Sequence, residues 1–458
     1  LKSFAYAGIA TVAFVAVAAI VVTPAVIALL GKRLDSLDVR RPVRLLLRRP
    51  EPVNRPVEQT FFYRLAKFVM RHAIPILVAV VALLVALGVP FSTAKWGLPD
   101  DRVLPTSASS RQVGDQLRTD FADDLATNVT VVIPDAGGIT PADWGGYAAQ
   151  LSQVDDVESV SAPAGTFVAG ARVGPPSGAT AVKNGSAFLT VTSSAPLYSQ
   201  ASLMQLDRLQ AVPGPAGQHP LLTGGAPNNR DTAHAVTSRL PIVLAIIAAI
   251  TFVLLFVLTG SVVLPLKSLT LSVLSLTAAF GALVWIFQDG NLGALGTTAT
   301  GTLVVTMPAL LFCIAFGLSM DYEVILMSRI HEYWLVSNRT AAANDESVAL
   351  GVAHTGRVIT AAALIMSISF AAMIAAKVSF MRMFGLGLTL AVLGDATLVR
   401  MLLVPAFMHV MGRFNWWSTP LLARLHRRLP MNEPRRPPTA PVVVRSHSGR
   451  PSRLLDGR

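Results

Sequence analysis

Apolar residues occur along this chain in long uninterrupted stretches rather than in short alternating patterns. A helix needs about 20 predominantly apolar residues to cross the hydrocarbon core of a bilayer. Seven segments have that length and composition, so the pattern predicts a polytopic α-helical membrane protein. The seven predicted spans are residues 5–30, 73–91, 239–259, 268–287, 303–328, 357–376 and 384–410.

The long segment between the second and third predicted spans, residues 92–238, has a different pattern. β-Branched residues mark strands there, and capping residues mark the starts of helices. The predicted order is strand, helix, strand, and then the same again, which is typical of an α+β ferredoxin-like fold. The Gly-, Pro- and Ala-rich stretch 162–185 between the two halves is predicted to be a loop. The predicted elements are strands at 126–133, 157–161, 186–192 and 219–223 and helices at 141–154 and 199–209.

Basic residues flank the predicted spans unevenly. Residues 31–72 carry eleven Lys and Arg against four acidic residues, and residues 411–458 carry ten Arg against two. Residues 92–238 carry eight basic residues against thirteen acidic ones. Because basic loops tend to stay in the cytoplasm, we expect the N-terminus and residues 92–238 outside and the C-terminus inside. Lys377 and Arg382 fall in a short outer turn and depart from this bias.

These patterns divide the chain into six parts. Residues 58–70, just before the second span, leave two interpretations open: an interfacial helix or an ordinary helical lead-in. Residues 5–30 are expected to remain as a membrane helix, because the run is longer than the roughly 7–15-residue apolar core of a signal peptide. The predicted parts are a transmembrane helix (1–31), a basic cytoplasmic loop with an interfacial helix (32–72), a transmembrane helix (73–91), an extracytoplasmic domain (92–238), a five-helix transmembrane bundle (239–411) and a basic disordered cytoplasmic tail (412–458).

Composition supports a membrane protein and argues against several other classes. Of the residues, 52% are hydrophobic and 14% are charged, whereas soluble domains average about 25% charged residues. The net charge of +12 lies mostly in the predicted cytoplasmic segments, so we expect contacts with anionic membrane lipids rather than with nucleic acid. The single cysteine, Cys313, excludes an intrachain disulfide. His219 and His234 have no neighbouring nucleophile motif, so we expect no enzyme, no metal and no cofactor.

Asp321, Tyr322 and Glu323 interrupt the fifth predicted span. An aspartate at the centre of a membrane helix costs about 2.5–3.5 kcal/mol, and Asp321 lies about 12 Å inside the predicted cytoplasmic stop at Arg329. The acid is therefore expected to couple protons or ions, or to belong to a structural hydrogen-bond network, and both interpretations stay open. Glu323 lies about 200° around the helix from Asp321, so the two acids are not expected to face the same cavity.

The last predicted span contains a second pair of charged residues, Asp395 and Arg400. In an α-helix, residues five apart are separated by about 140°, so a direct pair within the helix is not expected. Asp395 is predicted to face the helix bundle, and Arg400 to extend toward the cytoplasm. Three glycines are expected to let another helix approach closely. They are Gly385, Gly387 and Gly394.

Four stretches of the sequence resemble signatures of the MMPL family, the actinobacterial lipid exporters of the resistance-nodulation-division superfamily. The resemblance covers nearly the whole chain except the basic tail. The four stretches are FGLSMDYEVILMSRIHE (316–332), TGRVITAAALIM (355–366), LGDATLVRMLLVPAFM (393–408) and GLPDDRVLP (97–105).

The resemblance implies half of a transporter. Family members have about twice this length, twelve crossings and two outer porter domains, and this chain resembles a separately encoded C-terminal half. The resemblance implies export of lipids or lipid-like molecules across the inner membrane, driven by the proton motive force without a cofactor. It places Asp321 and Tyr322 in the proton relay. Glu323, Asp395 and Arg400 are expected to give intramembrane support.

The relay would need the helices that this chain lacks. The expected partners are therefore a lipid substrate and a separately encoded N-terminal half or a second copy of the chain. The alternative is a non-transporting membrane scaffold or an inactive remnant of a split transporter. A receptor that uses residues 92–238 as a sensor is disfavoured, because a sensor has no need of Asp321 within the membrane.

Overall fold

The computed structural model describes residues 2–31, 56–120 and 126–427. It separates into two compact units, Leu1–Pro56 and Val57–Arg458. The predicted tail beyond residue 427, and the predicted basic loop over residues 32–55, lie outside the described residues. The first unit contains one helical segment, in which a π-helical stretch at Ala18–Val22 joins two α-helices.

Helices dominate the described residues, and seven helical segments are long and apolar enough to cross a membrane. All seven predicted spans are confirmed as helices, but the fifth was predicted to begin at residue 303 and its helix begins at Met307, after a strand at Leu303–Val304. The α-helices in chain order are α1 (Lys2–Val17), α2 (Thr23–Leu30), α3 (Phe61–Arg71), α4 (Ala73–Gly88), α5 (Ser109–Asp120), α6 (Pro141–Leu151), α7 (Gln200–Ala211), α8 (Gly225–Thr259), α9 (Val263–Leu283), α10 (Met307–Leu335), α11 (Ala341–Ala372), α12 (Ser379–Gly394), α13 (Val404–Met411) and α14 (Pro420–Arg427).

Two of the spanning helices begin well before the apolar runs that predicted them. Helix α8 starts at Gly225, immediately after the last strand of the sheet, and α11 starts at Ala341. Thr340 caps α11, because its hydroxyl accepts a hydrogen bond from the Ala343 amide at 3.2 Å. Apolar length therefore located the membrane portion of each helix but not its polar first turns.

Helix α3 covers most of the segment predicted to be interfacial. Thr60 caps its N-terminus by accepting from the Tyr63 amide at 3.4 Å. Val69 is fully buried on one face, whereas Phe61 and Phe68 are exposed on the other. This two-faced character fits an interfacial helix, and its placement at the surface of a bilayer stays a prediction.

The residues between α4 and α8 begin with α5 and then form an antiparallel sheet with two helices, α6 and α7. The order β5-β4-β3-β7-β2-β8, with β6 paired to β7, contains the ferredoxin-like core predicted from the sequence. β1 and β9 form a separate parallel pair. This pair links the segment that follows α4 to the segment that precedes α10. The strands are β1 (Trp96–Gly97), β2 (Val129–Ile133), β3 (Val157–Ala162), β4 (Gly165–Val168), β5 (Ala171–Gly174), β6 (Ala181–Lys183), β7 (Ser186–Ser193), β8 (Leu221–Gly224) and β9 (Leu303–Val304).

The loop predicted at 162–185 is wrong, because β4, β5 and β6 lie within it. Ala169 and Gly170 join β4 to β5 with φ values of 47° and 85°. Two consecutive positive φ angles are characteristic of the tight turns that match the twist of a hairpin. The richness in glycine and proline masked this hairpin, which extends the sheet beyond β3.

The sheet domain and the helix bundle have separate cores. Strand β2 alternates buried and partly exposed residues, and its buried face packs with α6 and α7 through residues such as Trp144 and Leu206. The bundle core joins α4, α9, α10, α11 and the last span through residues such as Leu271, Leu326 and Val399. The bundle core surrounds the ionisable side chains described next.

Candidate functional site

Four ionisable side chains lie together inside the helix bundle, and we call them the charged cluster. Lys267 comes from α9, Glu323 from α10, and Asp395 and Arg400 from the last span. Their exposed fractions are 4%, 3%, 4% and 1%, respectively. Two cations and two anions thus share one desolvated site whose formal charges cancel.

Asp395 and Arg400 form a direct ion pair, so the prediction that they would not pair is wrong. Arg400 Nε donates to Asp395 Oδ2 at 2.8 Å. The backbone explains the difference, because Asp395–Leu403 forms a π-helix between α12 and α13. Its hydrogen bonds run from residue i to i+5, which brings side chains five apart onto one side.

Arg400 is the centre of the charged cluster. Its Nη1 donates to Glu323 Oε2 at 2.9 Å, and its Nη2 donates to the carbonyl oxygen of Ser319. The Ser319 hydroxyl donates to Asp395 Oδ1 at 2.9 Å. The prediction that Arg400 extends toward the cytoplasm is therefore wrong, since buried acceptors on two helices hold its guanidinium.

Lys267 completes the charged cluster, and the sequence interpretation missed it. Its Nζ lies 3.5 Å from Glu323 Oε1, and the Ser268 hydroxyl donates to the same oxygen. The predicted fourth span began at residue 268, which left Lys267 in a flank where a lysine needs no explanation. One signal for Lys267 was available in the sequence. It is a lysine directly before a span whose first residues include several serines.

The three glycines expected to allow close packing differ in what they allow. A Cβ at Gly385 would lie 2.7 Å from the carbonyl oxygen of Phe370, so close backbone approach is confirmed there. At Gly387 the Cβ would meet the Leu311 side chain, and at Gly394 the nearest atom, Ser275 Oγ, is 3.6 Å away. Of the three, Gly385 is thus the one that permits two backbones to meet.

Removing one member of the charged cluster would leave its partners charged and buried. Breaking a buried ion pair typically costs about 3–5 kcal/mol, whereas replacing both partners with apolar residues is often neutral or stabilising. The charged cluster therefore contributes little net stability if its role is only structural. Buried ionisable groups within membrane spans are, by default, candidates for a role in ion or proton movement.

Asp321 and Tyr322 take up different positions relative to the cluster. Asp321 is exposed on the outer face of α10, whereas Glu323 is buried. The expectation that these two acids face different surroundings is confirmed. Within the described part of the chain, Asp321 makes no hydrogen bond or ion pair. The structure therefore does not bring Asp321 into the charged cluster.

Tyr322 follows the exposed Asp321 on α10 and is itself buried. Its ring lies under the Arg400 guanidinium, with 5.7 Å between Cζ and the ring centroid. Its hydroxyl donates to Met366 Sδ on α11 at 3.0 Å. Tyr322 is thus the member of the predicted relay pair that touches the charged cluster.

The sheet domain contains a cavity of about 620 Å³. Hydroxyl and amide side chains line it, including Asn128, Thr130, Thr190 and Thr192, together with Tyr198. Such a lining can exchange hydrogen bonds with a polar group. Among the residues described, no group of three or more His, Cys, Asp or Glu could hold a metal ion.

Comparison with known proteins finds a family model that matches the part of the chain containing this site. The model described as the MMPL family matches residues 102–439. This span includes the sheet domain, the charged cluster and the pair Asp321–Tyr322. It covers well over half of the 458 residues.

Three relatives illustrate the similarity. A putative membrane protein of Streptomyces coelicolor is 34% identical over 435 residues, which cover 94% of this chain and 55% of the relative. The trehalose monomycolate exporter MmpL3 of Mycobacterium tuberculosis is 30% identical over 480 residues, covering 99% of this chain and 49% of the relative. The mycolic acid-containing lipids exporter MmpL11 of Mycolicibacterium smegmatis is 39% identical over 237 residues, covering 51% of this chain and 24% of the relative. The chain thus spans about half the length, or less, of these relatives.

Proposed function

The chain belongs to the MMPL family, and from that premise we propose that it is the C-terminal half of a proton-driven lipid exporter. The observation that carries the proposal is the charged cluster, in which Arg400 joins two buried acids and contacts Tyr322. A scaffold gains little from three buried ion pairs, because their desolvation largely offsets their attraction. A transporter can use such a cluster to respond to a change of charge nearby.

The proposed proton acceptor is Asp321. It lies on the exposed face of α10, in a helix long and apolar enough to span a membrane, and has no protein partner among the described residues. Protonation would remove its charge and change the field at Tyr322 and Arg400. Moving one proton through a potential of 100 mV supplies about 2.3 kcal/mol. This energy is comparable to the cost of inserting one charged side chain.

The proposed partner half has a suitable place on this chain. Helices α8 and α10 contact one another. Both expose apolar residues, which include Ile246 and Ile250 on α8 and, one turn after Asp321, Ile325 on α10. Coupling sites in transporters lie at the interface between repeats. We propose that a separately encoded N-terminal half, or a second copy of this chain, covers this face and encloses Asp321.

The proposed orientation follows from the charges in the loops. The sheet domain lies outside the inner membrane, and the basic segments at 31–72 and 411–458 lie in the cytoplasm. Under this arrangement the N-terminus is outside and the C-terminus is inside. The proton motive force acts without a cofactor.

The proposed cargo is a lipid with a polar headgroup. Two relatives are named as exporters of trehalose monomycolate and of mycolic acid-containing lipids. Asn128, Thr130, Thr190 and Thr192 in the sheet-domain cavity offer hydrogen-bonding groups to the polar part of such a molecule. The alternative, a non-transporting scaffold or inactive remnant, would need neither the cavity nor the charged cluster.

Reconstitution with a partner half tests the proposal. Proteoliposomes containing both halves should export lipid when a proton gradient is imposed, and Asp321→Asn should abolish that dependence. Glu332→Gln is a matched control, because Glu332 is an exposed acid on the same helix that pairs with Arg329 at the surface. Export by Asp321→Asn at the rate of the control would reject the relay, and a folded complex without gradient-driven export would favour the scaffold.

A further inference from the structure

A small cavity lies between the segment that follows β1 and the start of α12, and we call it the junction cavity. It has a volume of about 130 Å³. Three basic side chains line it from two directions: Arg102 from the segment after β1, and Lys377 and Arg382 from around the start of α12. Thr297, Thr298 and Ser379 add hydroxyl groups to its wall.

The basic side chains of the junction cavity are not all neutralised by acids. Asp100 pairs with Arg102, with Oδ2 at 2.6 Å from Nη2. Arg382 donates to the backbone carbonyl oxygens of Leu295 and Ala376, and carbonyl groups satisfy its N–H groups without cancelling its charge. Lys377 is exposed and has no partner within the described residues. Two positive charges therefore remain uncompensated at the cavity.

The nearby acids are already engaged elsewhere. Asp101 pairs with Arg118, and Asp115 pairs with both Arg118 and Arg111. Arg111 adds a further cation behind the cavity wall, where it donates to Thr298 Oγ1 at 3.3 Å. An anion that enters the cavity would thus meet cations and hydroxyls rather than carboxylates.

Helix α12 begins at the junction cavity. The first N–H groups of a helix have no partner within the helix and attract anions. Ser379, the first residue of α12, is only 7% exposed, and its hydroxyl has no hydrogen-bond partner in the described part of the chain. An unpaired hydroxyl on a buried residue that lines a cavity is a second, independent sign that a ligand completes the site.

A strained turn comes directly before Gly296 and Thr297, which line the cavity. Leu292, Ala294 and Leu295 have φ values of 53°, 47° and 52°, in a left-handed region that residues other than glycine seldom occupy in succession. Arg382 holds this turn through the Leu295 carbonyl. Strained backbone of this kind concentrates at ligand sites, where surrounding contacts fix it.

We propose that the junction cavity binds a phosphate group, carried either by an anionic lipid headgroup or by free phosphate. Two uncompensated cations, the hydroxyl of a buried serine and a helix N-terminus form the donor set that phosphate prefers. The site also explains Lys377 and Arg382, which stand on the side of the bundle where the proposed orientation disfavours basic residues. A bound anion would offset their charge and join the segment that follows β1 to the start of α12.

Binding to the purified full chain in detergent tests this proposal without any transport assay. Microscale thermophoresis would compare short-chain phosphatidylglycerol with inorganic phosphate, at constant ionic strength. Lys377→Gln and Ser379→Ala should each weaken binding by about three- to tenfold, the loss expected for one hydrogen bond. Neither side chain has a partner among the described residues, so both variants should fold.

Lys95→Gln is the matched control, because Lys95 is exposed near the sheet domain but does not line the cavity. Tighter binding of the lipid would identify the headgroup as the source of the phosphate, and equal binding of inorganic phosphate would identify the solution as the source. The proposal is overturned if neither ligand saturates the protein, or if Lys95→Gln weakens binding as much as the cavity variants. Failure here would leave the proposed lipid export untouched.

Discussion

Arg400 pairs with Asp395 inside one helix, with 2.8 Å between Nε and Oδ2, although the two residues are five positions apart. The π-helical backbone at Asp395–Leu403 makes this pair possible. The same geometry leaves the Nη atoms of Arg400 free to reach α10, where they bind Glu323 and Ser319. Short π-helical segments inside α-helices occur frequently at functional sites, and this one builds the centre of the charged cluster.

The charged cluster predicts an unusual pattern of stability. Arg400→Met would leave Asp395 buried without its ion-pair partner, and we expect a loss of about 3–5 kcal/mol. The double variant Asp395→Leu/Arg400→Met should be more stable than Arg400→Met alone, because Glu323 would still have Lys267 as a partner. Thermal unfolding in detergent measures both. A double variant less stable than Arg400→Met would contradict the pairing described here.

Asp321 and Asp395 should respond differently to the same substitution. Asp321→Asn changes an exposed side chain without a partner in the described residues, so the stability of the isolated chain should change by less than about 0.5 kcal/mol. Asp395→Asn removes a charge that both Arg400 and Ser319 contact, and the chain should unfold at a lower temperature. Equal destabilisation by the two variants would show that Asp321 has a structural role in this half.

Substitutions at two glycines distinguish helix packing within this chain from assembly with a partner. A Cβ at Gly281 would lie 2.0 Å from the carbonyl oxygen of Leu87 on α4, so Gly281→Ala should destabilise the chain by about 1–3 kcal/mol. Gly317 is exposed one turn before Asp321 and has open space around it. Gly317→Leu should leave the chain stable but reduce its co-purification with the partner half. Normal co-purification would place the partner on another face.

The linker between β1 and α5 should lose structure in acid. A bidentate hydrogen bond from Arg118 lowers the pKa of Asp101, with distances of 2.9 Å and 2.6 Å. Because the pKa is lower in the folded state, the stabilisation is complete above the usual aspartate pKa of about 3.9. It is lost as the pH falls through the lowered value.

Hydrogen exchange over residues 98–120 of the full chain, corrected for intrinsic rates, measures this effect. Protection in the wild type should decline in acid, and Asp101→Asn should give low protection that varies little with pH. Glu158→Gln, at an exposed position on β3, should keep the wild-type profile. An unchanged profile in Asp101→Asn would exclude the pair with Arg118 as the cause.

Much of the architecture could be predicted from the sequence because it depends on local composition. Apolar length located the seven spans, and alternation located the four strands of the ferredoxin-like core. The β4–β5 hairpin was missed because its signal is a turn geometry at Ala169 and Gly170 rather than a hydrophobic pattern. Local sequence patterns therefore predict the spans and the core strands. The extra hairpin at the edge of the sheet is visible only in the backbone geometry.

The charged cluster could be predicted only in part, for two physical reasons. The pairing of Asp395 with Arg400 depends on a helix type that an α-helical wheel does not represent. Lys267 contributes through contact with a helix distant in sequence, and a rule that counts apolar residues places it outside the span. The exposure of Asp321 has a further reason, since its surroundings in the proposed exporter belong to a partner.

Proton uptake during lipid export tests the central claim most directly. Proteoliposomes that contain this chain with its partner half and a pH-sensitive dye would report proton movement and lipid export in the same sample. We predict that lipid-dependent proton uptake disappears in Asp321→Asn and persists in Glu332→Gln, with both complexes folded. Proton uptake and export in Asp321→Asn equal to those of the wild type would contradict the account.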